Sequence, residues 1–232
     1  MTQRILEIAS PAFLREEDLT REGFERFFPA DRPLVLEIGC GIGDFIVPLA
    51  RQAPQNDFLA IDIYNKGCLK TCRKVDVAGL RNVRVMRIEA RYLLAGHLPP
   101  ERLAAVYVNC PDPWPKKRHR ERRLVNGDFL RMLLYHLRPE GDFYFATDVA
   151  DYAGQVAEAL AAQAGFRNCL ETPVATDLPG YPVSKYMRRF LDLGQPIHFL
   201  HRRKAADLPT AALELPAITP GFRIGWSRAG NE

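Results

Sequence analysis

A glycine-rich loop that directly follows an apolar segment is the feature that most constrains how this chain can fold. Residues 34–38 (LVLEI) have the composition of a buried strand, and residues 37–43 (EIGCGIG) place three glycines where that strand ends. Because glycine has no Cβ, such a loop adopts positive φ angles and lets the backbone approach a ligand closely. Residues 44–53 continue as a predicted helix in which Pro48 must lie near the first turn. The sequence therefore predicts a strand, a ligand-binding turn and a helix in succession.

The same alternation of strand and helix patterns continues along the chain. The predicted strands lie at residues 34–38, 58–62, 83–88, 104–110, 142–147, 167–172 and 197–202, and the predicted helices at residues 44–53, 65–78, 125–137 and 152–163. Such alternation is typical of a mostly parallel sheet with helices on both faces. We therefore predict a Rossmann-like α/β fold with a seven-stranded sheet, whose ligands lie beyond the carboxyl ends of the strands.

The length of 232 residues suits one such domain with modest extensions. We predict an N-terminal extension at residues 1–33, the domain at residues 34–204, and a loosely ordered, proline-containing extension at residues 205–232. The N-terminus has no signal segment, and no run approaches the ~18 apolar residues of a membrane helix. The expectation is a soluble protein of the cytoplasm.

The five cysteines are scattered and odd in number, which argues against a disulfide framework. Cys68 and Cys72 lie one helical turn apart, but no second pair completes a zinc site. We expect no metal, and we interpret the cysteines as small buried apolar residues.

Positive charge is concentrated in one segment. The chain has a formal charge of +4, and residues 116–123 (KKRHRERR) alone contribute +5, so the remainder sums to −1. Such a distribution favours a local anionic partner over general adhesion to polyanions, although a solvated charged loop would have the same composition.

Acidic residues follow three consecutive predicted strands, and they narrow the identity of the ligand. Glu37, Asp62 and Glu89 stand at these strand ends, and Asp44 occupies the position where a dinucleotide-binding loop needs its third glycine. The G-x-G-x-G spacing after an acid instead resembles motif I of class I methyltransferases. Carboxylates near this loop suit the ammonium and sulfonium groups of S-adenosylmethionine. An NAD-type site and a degenerate, non-binding domain are the alternatives.

The fourth predicted strand runs into residues 109–119 (NCPDPWPKKRH), in which alternating prolines fix φ and stiffen the loop. Asp112 and Trp114 are thereby held beside the predicted ligand turn. Together with EIGCGIG, the ATD of residues 146–148 and the PVSKY of residues 182–186, this segment resembles the tRNA (guanine-N7)-methyltransferase family. The resemblance covers roughly residues 34–204, and the stretch from PDPW to KKRH is its most specific part.

The resemblance implies a role for each matching residue. It implies that S-adenosylmethionine is bound by Glu37, Gly39, Gly41, Gly43, Asp62, Glu89, Ala90 and Asp112, and that Asp112 is catalytic. Substrate tRNA would be bound by Lys116, Asp148, Ser184, Lys185, Tyr186 and Met187, with phosphate contacts from Lys117, Arg118, Arg120, Arg122 and Arg123. The sequence departs from the family in two places: Glu89 stands for a usual aspartate, and Met187 stands for the carboxylate that ends a Thr-x-x-Glu motif.

The chemistry of the implied acceptor agrees with acidic side chains in the site. Guanine N7 carries an in-plane lone pair, so no proton has to be removed before it attacks the methyl group. Positive charge develops on the purine during transfer, and a carboxylate in a dry pocket stabilises it. The expected function is methyl transfer to N7 of a variable-loop guanosine in tRNA. A different nucleic-acid or small aromatic nitrogen acceptor, and a non-catalytic RNA-binding protein, are the alternatives.

Overall fold

A computed structural model of the chain describes residues 6–210 and 213–216. The strands are β1 (Phe13–Leu14), β2 (Leu34–Ile38), β3 (Asp57–Asp62), β4 (Val83–Arg87), β5 (Leu103–Asn109), β6 (Leu137–Thr147), β7 (Phe166–Asn168) and β8 (His198–Lys204). The α-helices are α1 (Glu16–Glu22), α2 (Ile46–Gln52), α3 (Asn65–Val77), α4 (Ala90–Gly96), α5 (Gly127–His136), α6 (Ala150–Ala161) and α7 (Lys185–Asp192). Among these helices, none is long and apolar enough to cross a membrane.

All eight strands form one sheet in the order β1-β4-β3-β2-β5-β6-β8-β7. Every pairing from β1 to β6 is parallel, and only β8 pairs antiparallel with its two neighbours. The predicted Rossmann-like α/β fold is confirmed, with one strand more than the seven predicted. The additional strand is β1, whose two residues are too few to produce a periodic pattern.

The sheet is covered by apolar residues on both faces. All five residues of β2 are buried, and successive residues contribute to opposite layers: Leu36 packs with Val106 on one side, and Val35 packs with Phe58 on the other. Such burial on both faces is the reason why the strands of a parallel sheet are almost continuously apolar. The segment before β2 also joins this core, because Leu19 and Phe28 are buried in it.

Several element boundaries differ from those predicted. The first predicted helix begins two residues later, at Ile46, and Pro48 lies in its first turn as required. The predicted strand at residues 167–172 ends at Asn168, because the Asn168 side chain bonds the carbonyl oxygens of Leu170 and Thr172 and turns the chain there. Most of the predicted C-terminal extension, at residues 211–212 and 217–232, lies outside the described residues.

Helices α4 and α7 were not among the predicted helices, and both begin after a residue expected to bind a ligand. Helix α4 begins after Glu89, whose carboxylate accepts hydrogen bonds from the backbone N–H groups of Arg91 and Tyr92. Helix α7 begins after Ser184, whose hydroxyl accepts a hydrogen bond from the N–H of Met187. Side-chain oxygens at this position satisfy N–H groups that the helix itself leaves unpaired.

Candidate functional site

The carboxyl ends of strands β2 to β6 meet at one edge of the sheet, and most of the predicted site residues lie there. Glu37 is the penultimate residue of β2, and Asp62 and Asn109 are the last residues of β3 and β5. A narrow cleft at this edge is lined by the glycine loop, by Glu37 and Asn109, and by Ser184, Lys185 and Tyr186 from the distant segment before and within α7. The structure therefore brings predicted cofactor and predicted substrate residues to one place.

The glycine loop has the conformation that its sequence predicts. Gly39, Gly41 and Gly43 have φ angles of 81°, 54° and 79°, in the left-handed region where a side chain is strained. The loop is held by Asp62, whose Oδ2 accepts a 2.8 Å hydrogen bond from the Gly41 N–H and whose Oδ1 accepts one from the Tyr64 N–H. The carboxylate can still accept a further hydrogen bond from a ligand.

A close approach of helix α3 to the loop depends on a glycine that the sequence analysis did not single out. A Cβ atom at Gly67 would lie 2.5 Å from the carbonyl oxygen of Gly41. The signal was present, because a glycine inside a predicted helix indicates a close packing partner.

Glu37 is a buried carboxyl group at the base of the cleft. It is 1% exposed, and its Oε2 has no hydrogen-bond partner among the described residues. Burial raises the pKa of Glu37 to about 8, the neighbouring Asn109 amide lowers it, and the charges of Asp62 and Asp44 raise it further. An acceptor atom buried without a partner is costly unless a ligand supplies the donor.

Glu89 follows strand β4, and its carboxylate is already engaged by the protein. Besides capping α4, it accepts a 2.8 Å hydrogen bond from the Arg91 guanidinium. Ala90 is buried as the first residue of α4. Their predicted contacts with the cofactor stay predictions.

The proline-rich loop after β5 is strained at both ends of its Pro-Asp-Pro centre. Cys110 and Trp114 have φ angles of 44° and 42°, although neither is glycine. Such strain persists only where the surrounding structure enforces it, and it is concentrated at functional sites. The centre of the loop exposes Asp112, the predicted catalytic residue.

A 3-10 helix at Lys117–Arg122 carries the cationic segment, and Lys116 immediately precedes it. Four basic residues of the cationic segment are exposed to solvent: Lys116, Lys117, Arg118 and Arg122. The Arg122 guanidinium lies 5.1 Å from the centre of the Trp114 ring, and Arg120 is bonded to Asp151. These exposed cations extend directly from the Asp112 loop.

Arg123 does not belong to this exposed surface, and its expected contact with RNA phosphate stays a prediction. It is 1% exposed, and its guanidinium donates hydrogen bonds to Pro113, Gln155 and Asp151 at 2.6–2.8 Å. The guanidinium also lies 4.6 Å from the centre of the Tyr152 ring. Each of its three guanidinium nitrogens therefore donates a hydrogen bond inside the protein, and the bond to Pro113 supports the Asp112 loop.

The predicted substrate segment before and within α7 divides between the cleft and the core. Ser184 lines the cleft, and Lys185 and Tyr186 line it and are also exposed. Met187 is 1% exposed and packs with Ala146, Ile197 and Phe199. The fourth residue of the motif is therefore part of an apolar cluster in this structure.

Asp148 follows β6 by one residue, is partly buried and lies beside Cys110. Burial, followed by the charge of Asp148, raises the pKa of the Cys110 thiol to about 12. Asp148 therefore lies next to the strained loop, and its contact with substrate stays a prediction.

Asn109 and Tyr181 are site residues that the sequence analysis missed. Tyr181 Oη donates a 2.6 Å hydrogen bond to Asn109 Oδ1. Asn109 is 9% exposed, and its Nδ2 has no hydrogen-bond partner among the described residues. The position of Asn109 at a strand end was visible in the sequence, whereas its pairing with a residue 72 positions away was not.

Comparison with known proteins finds methyltransferases that are similar to this chain over most of its length. Residues 31–200 match a family model described as "Putative methyltransferase". The chain is 58% identical to the tRNA (guanine-N(7)-)-methyltransferase of Syntrophotalea carbinolica over 98% of both chains. It is 48% identical to the protein of the same name from Geobacter metallireducens, over 88% of this chain and 98% of that one.

Solved structures show similarity of fold at low sequence identity. The crystal structure of the 16S rRNA methyltransferase KamB has a TM-score of 0.59 and 19% identity, and the match covers 88% of this chain and 97% of that one.

Proposed function

The chain belongs to the tRNA (guanine-N(7)-)-methyltransferase family, and on that premise we propose that it transfers a methyl group from S-adenosylmethionine to N7 of a variable-loop guanosine in tRNA. The observation that carries the proposal is the convergence at one sheet edge of a glycine loop with the buried Glu37, a strained loop exposing Asp112, and an exposed cationic helix. The fold alone would not support it, because this fold is used for many reactions. A tRNA substrate implies a cytoplasmic site of action.

The cleft residues fit S-adenosylmethionine. Glu37 Oε2 is a buried acceptor without a partner and suits an ammonium group. The free lone pairs of Asp62 suit the ribose hydroxyls, and Gly39, Gly41 and Gly43 present bare backbone to the ligand. We assign Glu89 and Ala90 to the adenine end of the cofactor, because they follow β4, the strand next to β3 in the sheet.

Bound S-adenosylmethionine would supply an electrophilic methyl group on a sulfonium. Asp112 orients the guanine by accepting hydrogen bonds from its N–H groups and stabilises the positive charge that develops on the purine. Because guanine N7 would attack with its in-plane lone pair, no residue of this chain would have to remove a proton. Alignment of donor and acceptor can by itself lower the activation free energy by up to ~7–11 kcal/mol.

The remaining predicted residues would hold the RNA. Lys116, Lys117, Arg118, Arg120 and Arg122 are proposed to pair with phosphates, with the cations of the 3-10 helix facing solvent beside the Asp112 loop. Asp148, Ser184, Lys185, Tyr186 and Met187 are proposed to surround the target guanosine. Of these, Met187 acts only through packing, because it is buried.

The decisive experiment is incubation of the protein with labelled S-adenosylmethionine and unmodified total tRNA, followed by identification of the product nucleoside. Label in 7-methylguanosine from the variable loop is the expected result. Label in another nucleoside would mean that a different base accepts the methyl group. The absence of transfer despite RNA binding would indicate a non-catalytic RNA-binding protein.

The role of Asp112 has its own test. Asp112→Asn is expected to retain tRNA binding and to lose most of its single-turnover rate on bound tRNA. A wild-type rate in this variant would eliminate the proposed electrostatic role.

A further inference from the structure

We propose that Arg188 and Arg189 of helix α7 form a second phosphate-binding surface for tRNA, on the opposite face of the sheet from the basic 3-10 helix at Lys117–Arg122. The RNA backbone would then be held on both sides of the loop that exposes Asp112. This inference rests on the proposed methylation of tRNA. The two arginines would bind the RNA and take no part in methyl transfer.

The sequence of α7 places its basic and apolar residues on different sides of the helix. Lys185, Arg188 and Arg189 are spaced at i, i+3 and i+4, so they share one side, and both arginines are exposed. On the other side, Met187 is buried and Phe190 is partly buried in the same apolar cluster. The helix therefore packs through its apolar side and turns its cations outward.

The apolar side of α7 packs on one face of the sheet, at the base of the loop that follows β5. Met187 belongs to one cluster with Ala146 of β6, and Cys110, the strained residue at the start of that loop, packs against this cluster. Phe145 of β6 lies on the opposite face, because side chains alternate along a strand. Its ring lies 5.1 Å from that of Tyr152 on α6. Helices α7 and α6 are therefore on opposite faces of the sheet.

The basic 3-10 helix is attached to the face that carries α6. Arg120 within it and Arg123 directly after it both form ion pairs with Asp151 of α6. The two cationic elements therefore lie on opposite faces of the sheet, and the carboxyl edge with Asp112 lies between them. RNA that places a guanosine at this edge would have backbone on both sides of it, within reach of one cationic surface or the other.

The charges of Arg188 and Arg189 are not neutralised within the described part of the chain. Neither guanidinium forms an ion pair there, although Asp192 lies on the same helix. Lys185 lines the cleft, and the rise of a helix places the two arginines about 4.5–6 Å further along the axis. Three cations therefore follow one another outward from the cleft, as contacts with successive phosphates require.

The test compares tRNA binding of the full chain at several salt concentrations in two double variants that lose the same charge. The variant that combines Arg188→Ala with Arg189→Ala is expected to bind tRNA at least about tenfold more weakly at ~0.1 M salt. The slope of log affinity against log salt should fall by about 1.4–1.8, which corresponds to two phosphate contacts. Its binding of S-adenosylhomocysteine in calorimetry without tRNA, and its free energy of unfolding in urea, should equal those of the wild type.

Arg51→Ala combined with Arg81→Ala is the matched control. Both residues are exposed, and both lie near the amino ends of the strands, Arg51 in the last turn of α2 and Arg81 in the turn before β4. This control should bind tRNA like the wild type and with the same salt slope. Wild-type tRNA affinity and slope in the α7 variant, or an equal loss in the control, would overturn the inference and leave the proposed function intact. A wild-type protein that binds no tRNA would overturn the proposed function, and this inference with it.

Discussion

The guanidinium of Arg123 donates a 2.8 Å hydrogen bond from Nε to the carbonyl oxygen of Pro113 and so fixes the loop that exposes Asp112. The same group donates to Gln155 and to Asp151 on helix α6. A residue from the cationic segment therefore connects the candidate catalytic loop to the body of the domain. Lys116, Lys117, Arg118 and Arg122 of the same segment are exposed to solvent, so one run of basic residues divides between the interior and the surface.

The burial of Arg123 and the exposure of Lys117 predict that removing their charges affects different properties, stability in the first case and tRNA binding in the second. Arg123→Ala is expected to lower the free energy of unfolding by about 2–3 kcal/mol, because buried hydrogen bonds are lost while Asp151 remains solvated. Lys117→Ala should leave stability unchanged, weaken tRNA binding and reduce the slope of log affinity against log salt by about 0.7–0.9.

Urea unfolding of both variants, together with tRNA binding at several salt concentrations, separates the two effects. Arg123→Ala with wild-type stability and a reduced salt slope would mean that Arg123 contacts phosphate after all.

The packing of helix α3 against the glycine loop predicts that Gly67→Ala will impair ligand binding. The new Cβ would lie 2.5 Å from the Gly41 carbonyl oxygen, and backbone cannot move aside as a flexible side chain can. We expect S-adenosylhomocysteine affinity to fall at least about tenfold, which corresponds to about 1.4 kcal/mol.

Gly96→Ala is the control for this substitution, because Gly96 is also helical and a Cβ there would meet nothing within 4 Å. It should bind like the wild type and be as stable or slightly more stable. Wild-type affinity in Gly67→Ala would show that the loop can shift without affecting the ligand.

The sequence predicted this site in part, and the parts it missed share one physical cause. The ends of β2, β3 and β6 and the glycine loop were predicted correctly, because burial periodicity and glycine content are local properties. Tyr181 was missed because its role depends on a contact with Asn109 that only the folded chain creates. The burial of Arg123 was missed because composition cannot show which residue of a basic run is turned inward.

The raised pKa of Glu37 predicts how stability depends on pH. Its pKa is about 8 in the folded protein and 4.5 in the reference state, so between these values the native state binds the extra proton. The contribution of Glu37 to the free energy of unfolding is therefore greatest below pH 4.5, falls as the pH rises, and levels off above about pH 8. The loss is at most about 5 kcal/mol.

Comparison with Glu37→Gln isolates this contribution from that of the other titrating groups. We expect the variant to gain stability relative to the wild type between pH 5 and pH 8, and to bind S-adenosylhomocysteine more weakly at both. Urea unfolding at pH 5, 6.5 and 8 measures the first effect. A stability difference that does not vary with pH would contradict the assignment of a buried, protonated Glu37.

The burial of Met187 predicts that the carboxylate expected from the family pattern cannot simply be restored here. Met187→Glu would place a charge among Ala146, Ile197 and Phe199, and it is expected to lower the free energy of unfolding by about 3 kcal/mol or more. Met187→Leu, which keeps the volume and the apolar character, should cost less than about 1.5 kcal/mol. Thermal unfolding and single-turnover methyl transfer would be measured on both. A Met187→Glu variant as stable as the wild type, and faster on tRNA, would instead mean that the carboxylate fits in this position and that guanine recognition is incomplete without it.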